Sequence, residues 1–217
     1  LPRACACYLF PAHPGTGRMT KWDYASTLAA SLAHLLIYQQ DGVGLTLFDS
    51  QIRRQLPVSS NRGALADFTN AVVASAPQNK TDLKILFHQL AGRFPRRGMV
   101  VILSDLLTNV DDIIRGLQRF RYGRHDVLVL HVLDHDELQF PFADRTLFEG
   151  MEELNQEVLT DPQSLRSSYL AALEAFLGKI RRACLDQKID YALISTADSL
   201  DVALTTFLAT RMHRQRA

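Results

Sequence analysis

The sequence predicts an α/β fold, a three-layer Rossmann-like sandwich around a mostly parallel sheet. Two runs, residues 98–103 and 126–133, are almost continuously apolar, the pattern of strands covered on both faces. Such runs alternate with longer stretches whose apolar residues recur at helical spacing, which is the order of a sheet with helices on both sides. The 217 residues are 47% hydrophobic and 22% charged, enough apolar material for one sizeable core.

Residues 1–20 read as irregular, with several prolines and a Thr16-Gly17 turn signal. Over 21–40, Tyr24, Leu28, Leu32 and Leu35 repeat at helical spacing, and Ala25, Ala29, Ala33 and Leu36 form a second stripe. Small residues on that stripe let the helix lie close to a sheet. Asp41-Gly42 stops it, 43–48 is a short apolar strand, and 51–56 is a second strand of a hairpin, ended by Pro57. Ser60 is the expected cap of a helix over 63–74, which Pro77-Gln78-Asn79 breaks. Thr81 opens a helix over 82–94 with Leu83, Leu86, Phe87 and Leu90 on one face. Strand 98–103 leads to Ser104-Asp105, then a helix over 110–120 and a strand over 126–133, interrupted only by His131. The mixed residues 139–160 hold a β-hairpin. Pro162 suits a first helical turn, 164–187 is the longest helix, 189–194 the last strand and 199–211 the closing helix. No internal repeat or low-complexity segment interrupts this order, which predicts one domain.

Charge balance narrows the function classes. With 24 Lys+Arg against 23 Asp+Glu, the formal charge is +1, which argues against a basic nucleic-acid-coating protein and an acidic solvating tail. Cys5, Cys7 and Cys184 are too few and too scattered for a disulfide scaffold, and no second pair or His cluster completes a zinc set with Cys5 and Cys7. The longest apolar stretch, 28–37, contains Ser31 and His34 and is about half the ~20 residues a membrane span needs. Pro2, Pro11 and Pro14 interrupt any signal-like run, so the expected location is cytoplasmic. The first residue is Leu rather than Met, and the expectation is an N-terminally truncated or altered chain.

Parallel sheets of this kind bind ligands beyond the carboxyl ends of their strands. The polar residues there are Asp49-Ser50, Ser104-Asp105 and Asp134-His135-Asp136-Glu137; the last group reads as a solvated loop rather than a cation site, and His131 as a satisfied core histidine. The loop over 12–19 looks superficially like a phosphate cradle. It has Ala12 where the first Gly is needed, Arg18 for the Lys, and Met19 for the hydroxyl that holds Mg²⁺, and a thioether is too soft for that ion. Neither the Gly-x-Ser-x-Gly elbow nor a His-Glu-x-x-His helix occurs, and no nucleophilic triad assembles.

Several motifs, in order, carry a resemblance. They are Thr20-Lys21-Trp22-Asp23-Tyr24-Ala25, Gln40-Asp41-Gly42-Val43-Gly44-Leu45, Pro95-Arg96-Arg97-Gly98 through Ser104-Asp105-Leu106, and His125-Asp126-Val127 through His131-Val132-Leu133-Asp134. Phe140-Pro141-Phe142, Thr146-Leu147-Phe148-Glu149, Asp190-Tyr191 before Ser195-Thr196, and Phe207-Leu208 through Arg211 complete them. Together they resemble the bacterial family catalogued as domain of unknown function 58, which is von Willebrand factor A-like. The resemblance implies an irregular N-terminal segment at 1–20, the domain over 21–211 and a tail at 212–217. It also implies a metal-ion-dependent adhesion site at the carboxyl edge, where an Asp-x-Ser-x-Ser loop, a Thr and a further Asp give Mg²⁺ an oxygen shell. Thr81 matches the Thr and Asp105 the further Asp, whereas Arg3-Ala4-Cys5-Ala6-Cys7-Tyr8 stands where the loop belongs. A cation in place of the carboxylate and thiols in place of hydroxyls make a poor Mg²⁺ site. The expectation is therefore a degenerate, non-functional site at Thr81 and Asp105, with Mg²⁺ bound in relatives and weak or absent here.

What the resemblance implies about activity is a non-enzymatic protein-interaction module, partnered by a MoxR-type AAA+ ATPase in assembly or maturation of protein complexes. No nucleic acid and no membrane segment are expected. Two alternatives stand beside it: a nucleotide-binding or hydrolytic domain using the 12–19 loop, and an inactive truncated copy. One structural expectation follows from the altered start. The strand before the adhesion-site loop is central in such sheets, between 43–48 and 98–103, and only Leu1 and Pro2 precede position 3. Residues 4–10 are apolar and free of proline, so they are expected to slip into that slot, moving the would-be metal loop to 11–20, which has no acidic residue.

Overall fold

A computed structural model of the chain describes residues 5–9, 19–49, 51–75, 97–142, 146–149, 157–160 and 162–215. In chain order the elements are β1 (Cys5–Leu9), α1 (Lys21–Tyr38), β2 (Val43–Phe48), β3 (Ile52–Ser59), α2 (Ala64–Val73) and β4 (Met99–Ser104). They continue with α3 (Val110–Tyr122), β5 (Asp126–Leu133), α4 (His135–Gln139), β6 (Thr146–Glu149), β7 (Glu157–Thr160), α5 (Pro162–Asp186), β8 (Asp190–Ser195) and α6 (Leu200–Gln215).

The main sheet has the order β3-β2-β1-β4-β5-β8. β1, β2, β4, β5 and β8 run parallel, and only β3 at one edge is antiparallel. The apolar runs have the reason expected of them: alternate residues serve two cores. Met99, Val101 and Leu103 of β4 and Leu128, Leu130 and Val132 of β5 pack with α1, α2 and Ala203 of α6. Val100, Ile102, Val127 and Val129 point the other way, onto Ile113, Leu117 and Phe120 of α3 and Ile180 and Cys184 of α5. With side chains leaving a strand on alternate faces, a strand between two helix layers has no polar position to spare.

The two stripes on α1 are both buried except Leu35, which is partly covered. Ala29 and Ala33 are fully buried, and these small residues let the helix axis approach the sheet. Thr20 caps α1, its Oγ1 accepting the Asp23 N–H at 3.0 Å. The Ser60 cap is not found: Gly63 is the N-cap residue of α2 and makes no side-chain cap bond, while Asn61 Oδ1 accepts the Gly63 N–H. Nor does Pro57 end the second strand. β3 runs on to Ser59 because it is an edge strand, where a missing N–H on the outer side leaves no ladder bond unmade. β6 and β7 form the antiparallel hairpin expected within 139–160.

Residues 1–20, read as irregular, contain a strand of the main sheet. Cys5–Leu9 lies between β2 and β4, with Ala6 opposite Gly44 on one side and Val100 on the other. The expected slip of this segment into the central slot is what the sheet shows, and the driving force is the cost of leaving two rows of backbone groups unpaired. Cys5, Ala6, Cys7 and Tyr8 are therefore ladder residues and not the edge loop with which they were aligned. At the other end, residues 212–215 continue α6 rather than forming a tail. The expected helix over 82–94 lies outside the described residues.

Candidate functional site

Because the five strands run parallel, their carboxyl ends meet along one edge, and β4, β5 and β8 deliver Ser104-Asp105, Asp134 and Ser195-Thr196 there. Asp49, after β2, turns instead into the hairpin: its Oδ1 accepts the Gln51 N–H, and its Oδ2 pairs with Arg53 at 2.6–2.7 Å.

Asp105 is held from several sides. Ser104 Oγ accepts the Leu106 N–H at 2.9 Å, which ties off the strand. Leu106 adopts φ 51°, a left-handed value that a branched side chain rarely takes, and its side chain is wholly buried in the core between the sheet and α3 and α5. That sharp turn leaves the Asp105 carbonyl facing His131, whose Nε2–H donates to it at 2.7 Å. The carbonyl can only accept, so Nε2 carries the proton and Nδ1 accepts from the Tyr191 hydroxyl at 2.8 Å. His131 is fully buried with both ring nitrogens bonded, the satisfied core histidine expected. Burial lowers its pKa to about 4, against weaker pulls upward from the Asp105 backbone bond and carboxylate, so it stays neutral at physiological pH.

The Asp105 carboxylate meets a group that sequence reasoning named but assigned no role. Lys21, the first residue of α1, is 4% exposed. Its ammonium lies 3.1 Å from Asp105 Oδ2 and 2.7 Å from Glu137 Oε1. Burial pulls the Lys21 pKa down, but the Asp105 and Glu137 charges and their hydrogen bonds outweigh it and hold the group above its ordinary 10.5.

Glu137 is available because 134–137 is not a solvated loop. Asp134 caps α4, its Oδ1 accepting the Asp136 N–H at 2.9 Å, while Glu137 Oε2 reaches back to the Asp134 N–H at 2.8 Å, a complete capping box. The Asp-x-x-Glu spacing was the available signal for it. Thr196, after β8, donates to Asp134 Oδ2 at 3.0 Å and accepts the His135 N–H at 3.3 Å. One polar chain thus runs Tyr191–His131–Asp105–Lys21–Glu137–Asp134–Thr196 across the ends of three strands and the starts of two helices. Of the adhesion-site positions, Asp105 is in this chain and Thr81 lies outside the described residues, as do 12–18 of the 12–19 loop.

Comparison with family models gives a match over residues 11–176 to the family described as protein of unknown function DUF58. The chain belongs to the DUF58 family. Comparison with curated proteins gives no match. Among solved structures, this DUF58 chain is similar to the conserved hypothetical protein BatB from Bacteroides thetaiotaomicron, at 14% identity and TM-score 0.57, covering 97% of this chain and 98% of that one. It is also similar to an aerotolerance-related membrane protein from Bacteroides fragilis, at 14% identity and TM-score 0.55, covering 92% of each chain. The SpRpn10 VWA domain follows at 12% identity and TM-score 0.47, covering 92% of each. The fold is the expected α/β sandwich, a mostly parallel sheet between two helix layers. No helix among the described residues is long and apolar enough to cross a membrane.

The adhesion-site resemblance implies a divalent cation near Asp105, and the described residues of the DUF58 chain do not fit one. Asp105 and Glu137 each give an oxygen to a buried ammonium, their other oxygens face backbone N–H groups, and a fixed positive charge repels a second cation.

Proposed function

We propose that this chain is a non-enzymatic protein-interaction module of von Willebrand A type with a degenerate adhesion site, working in the cytoplasm with a MoxR-type AAA+ ATPase in assembling or maturing partner complexes. The observation that carries the reading is the carboxyl edge itself. Where this fold class binds ligands, the ionisable side chains of the polar chain are engaged in fold-supporting bonds: His131 is neutral and bonded at both nitrogens, and Asp105 and Glu137 both pair with Lys21. A nucleophile or general base needs a lone pair or proton directed at a substrate, and these groups direct theirs at one another. Such an edge suits recognition of a protein surface. Family membership and the von Willebrand A-like fold support the same reading.

The direct test mixes the purified chain with a purified MoxR-type ATPase, with and without nucleotide, and follows sedimentation velocity. A faster-sedimenting complex of defined stoichiometry is expected; two independent boundaries under every nucleotide condition would overturn the partnership. Melting with ATP and Mg²⁺ separates the nucleotide-binding alternative, because a ligand of the native state raises the melting temperature. No rise is expected.

A further inference from the structure

The buried ammonium at the carboxyl edge has a specific role. We propose that the Lys21 ammonium is a tethered counter-ion that takes the place of a divalent cation between Asp105 and Glu137, so that the edge engages its partner without metal. The inference rests on the degenerate-site reading and goes further: it says which atom replaces the metal and why no metal displaces it.

Position argues for it first. The two carboxylates come from separate elements, one just after β4 and one in α4 after β5, and they converge on a single cation carried by the first turn of α1. Convergent oxygens from several loops around one positive centre is how a carboxyl edge holds a metal, and here the centre is a side chain. Burial argues second. A lysine head group 4% exposed is expensive to desolvate and is retained where carboxylates repay that cost. Lys21 has two, at 3.1 and 2.7 Å, and remains charged.

The remaining oxygens argue third. Glu137 Oε2 is committed to the Asp134 N–H at 2.8 Å, and Asp105 Oδ1 leans toward the Leu107 N–H at 3.4 Å. Neither carboxylate can turn toward a metal without giving up a bond that shapes its own loop. A hydrated divalent ion would also have to expel a covalently attached cation that never diffuses away. Two carboxylates with one ammonium leave a net negative charge at this point, so the edge does not capture a partner's carboxylate as an open-coordinate Mg²⁺ does. A complex formed here survives chelation.

The test uses the full chain, Mn²⁺ as the probe, and K21M, K21R and K21M/D105N variants. Paramagnetic broadening of the amides of Leu106 and Leu138 and the melting temperature are read together. In the wild-type chain and K21R, millimolar Mn²⁺ is expected to give neither saturable broadening at these amides nor a rise in melting temperature. K21M, which removes only the ammonium, is expected to gain both, and D105N on top of it to lose them. Saturable broadening in the wild-type chain would overturn the inference and the degenerate-site reading together. A folded K21M as indifferent to Mn²⁺ as the wild type would overturn the tethered ammonium alone. If K21M does not melt cooperatively, K21Q replaces it under the same criteria, and K21R gaining Mn²⁺ overturns the inference in either case.

Discussion

Protonation of His131 and Lys21 makes two opposite demands on the fold. His131 has its folded pKa lowered to about 4 from 6.5, so between these values the unfolded chain binds more protons than the native one. Its contribution is complete above pH 6.5 and is lost as the pH falls toward 4, by about 3 kcal/mol. Urea midpoints measured from pH 7 to pH 4 are expected to fall accordingly, and H131Q, though less stable at pH 7, to show a shallower decline. Lys21 has the reverse sign. Its folded pKa is raised, so its contribution is complete below 10.5 and is lost as the pH climbs through the higher native value. Removing the ammonium leaves two carboxylates uncompensated. K21M is expected to lose about 2–3 kcal/mol at pH 7, below the range for fully buried pairs because Asp105 and Glu137 are 16% and 25% exposed. Chemical denaturation of K21M and wild type, at pH 7 and along a rising series above pH 10.5, checks both the magnitude and its progressive loss.

Elements follow from packing as much as from propensity. α1 lies against β2, β4 and β5 through Ala25, Ala29 and Ala33, and a leucine at Ala29 has nowhere to go. A29L is expected to cost about 1–3 kcal/mol by overpacking, seen as a lower urea midpoint with an unchanged slope. The β2–β3 hairpin sets a similar limit at Gly44. A Cβ there would lie 3.2 Å from the Leu56 carbonyl oxygen and 3.1 Å from a Val58 methyl, and the carbonyl belongs to a paired strand. Both α1 and the hairpin were legible because their signals are local: a 3.6-residue period, an Asp41-Gly42 stop and an apolar run at 43–48 with a second strand segment close behind it. α4 was not. Four consecutive polar residues read as solvated loop, and only the reciprocal Asp134–Glu137 bonds, anchored by Thr196 sixty-two residues away, make them a helix.

For the molecule as a whole, stability is graded across the sheet. β4 and β5 contribute to both cores and β1 has strands on either side, whereas β3 is largely exposed at one edge and β8 closes the other. Hydrogen exchange is expected to be slowest in 99–104 and 127–133 and faster in 52–59. Proline scanning gives a sharper test. A6P removes a donor from a strand paired on both sides and is expected to cost about 3 kcal/mol or more, whereas Pro57 is already accommodated on edge strand β3. Cooperative melting of A6P at the wild-type temperature would show that β1 contributes nothing to the sheet.

The sequence by itself determined the layer order and most of the described helix and strand positions, because alternation of apolar runs with helical periods is written in neighbouring residues. It also marked Asp105, since the last residues of a parallel strand face the ligand edge wherever the strand lies in the sheet. The slip of 5–9 into the central slot was legible too, from the absence of proline and the demand of two unpaired neighbours. Only the tertiary structure decided what surrounds Asp105. Lys21 is 84 residues before it and Glu137 32 after, and nothing local to a Thr-Lys-Trp motif says that its ammonium is buried between two distant carboxylates. Charge pairing of this kind is long-ranged in sequence and short-ranged in space, so the helix start and two strand ends must be in place before the three groups can meet.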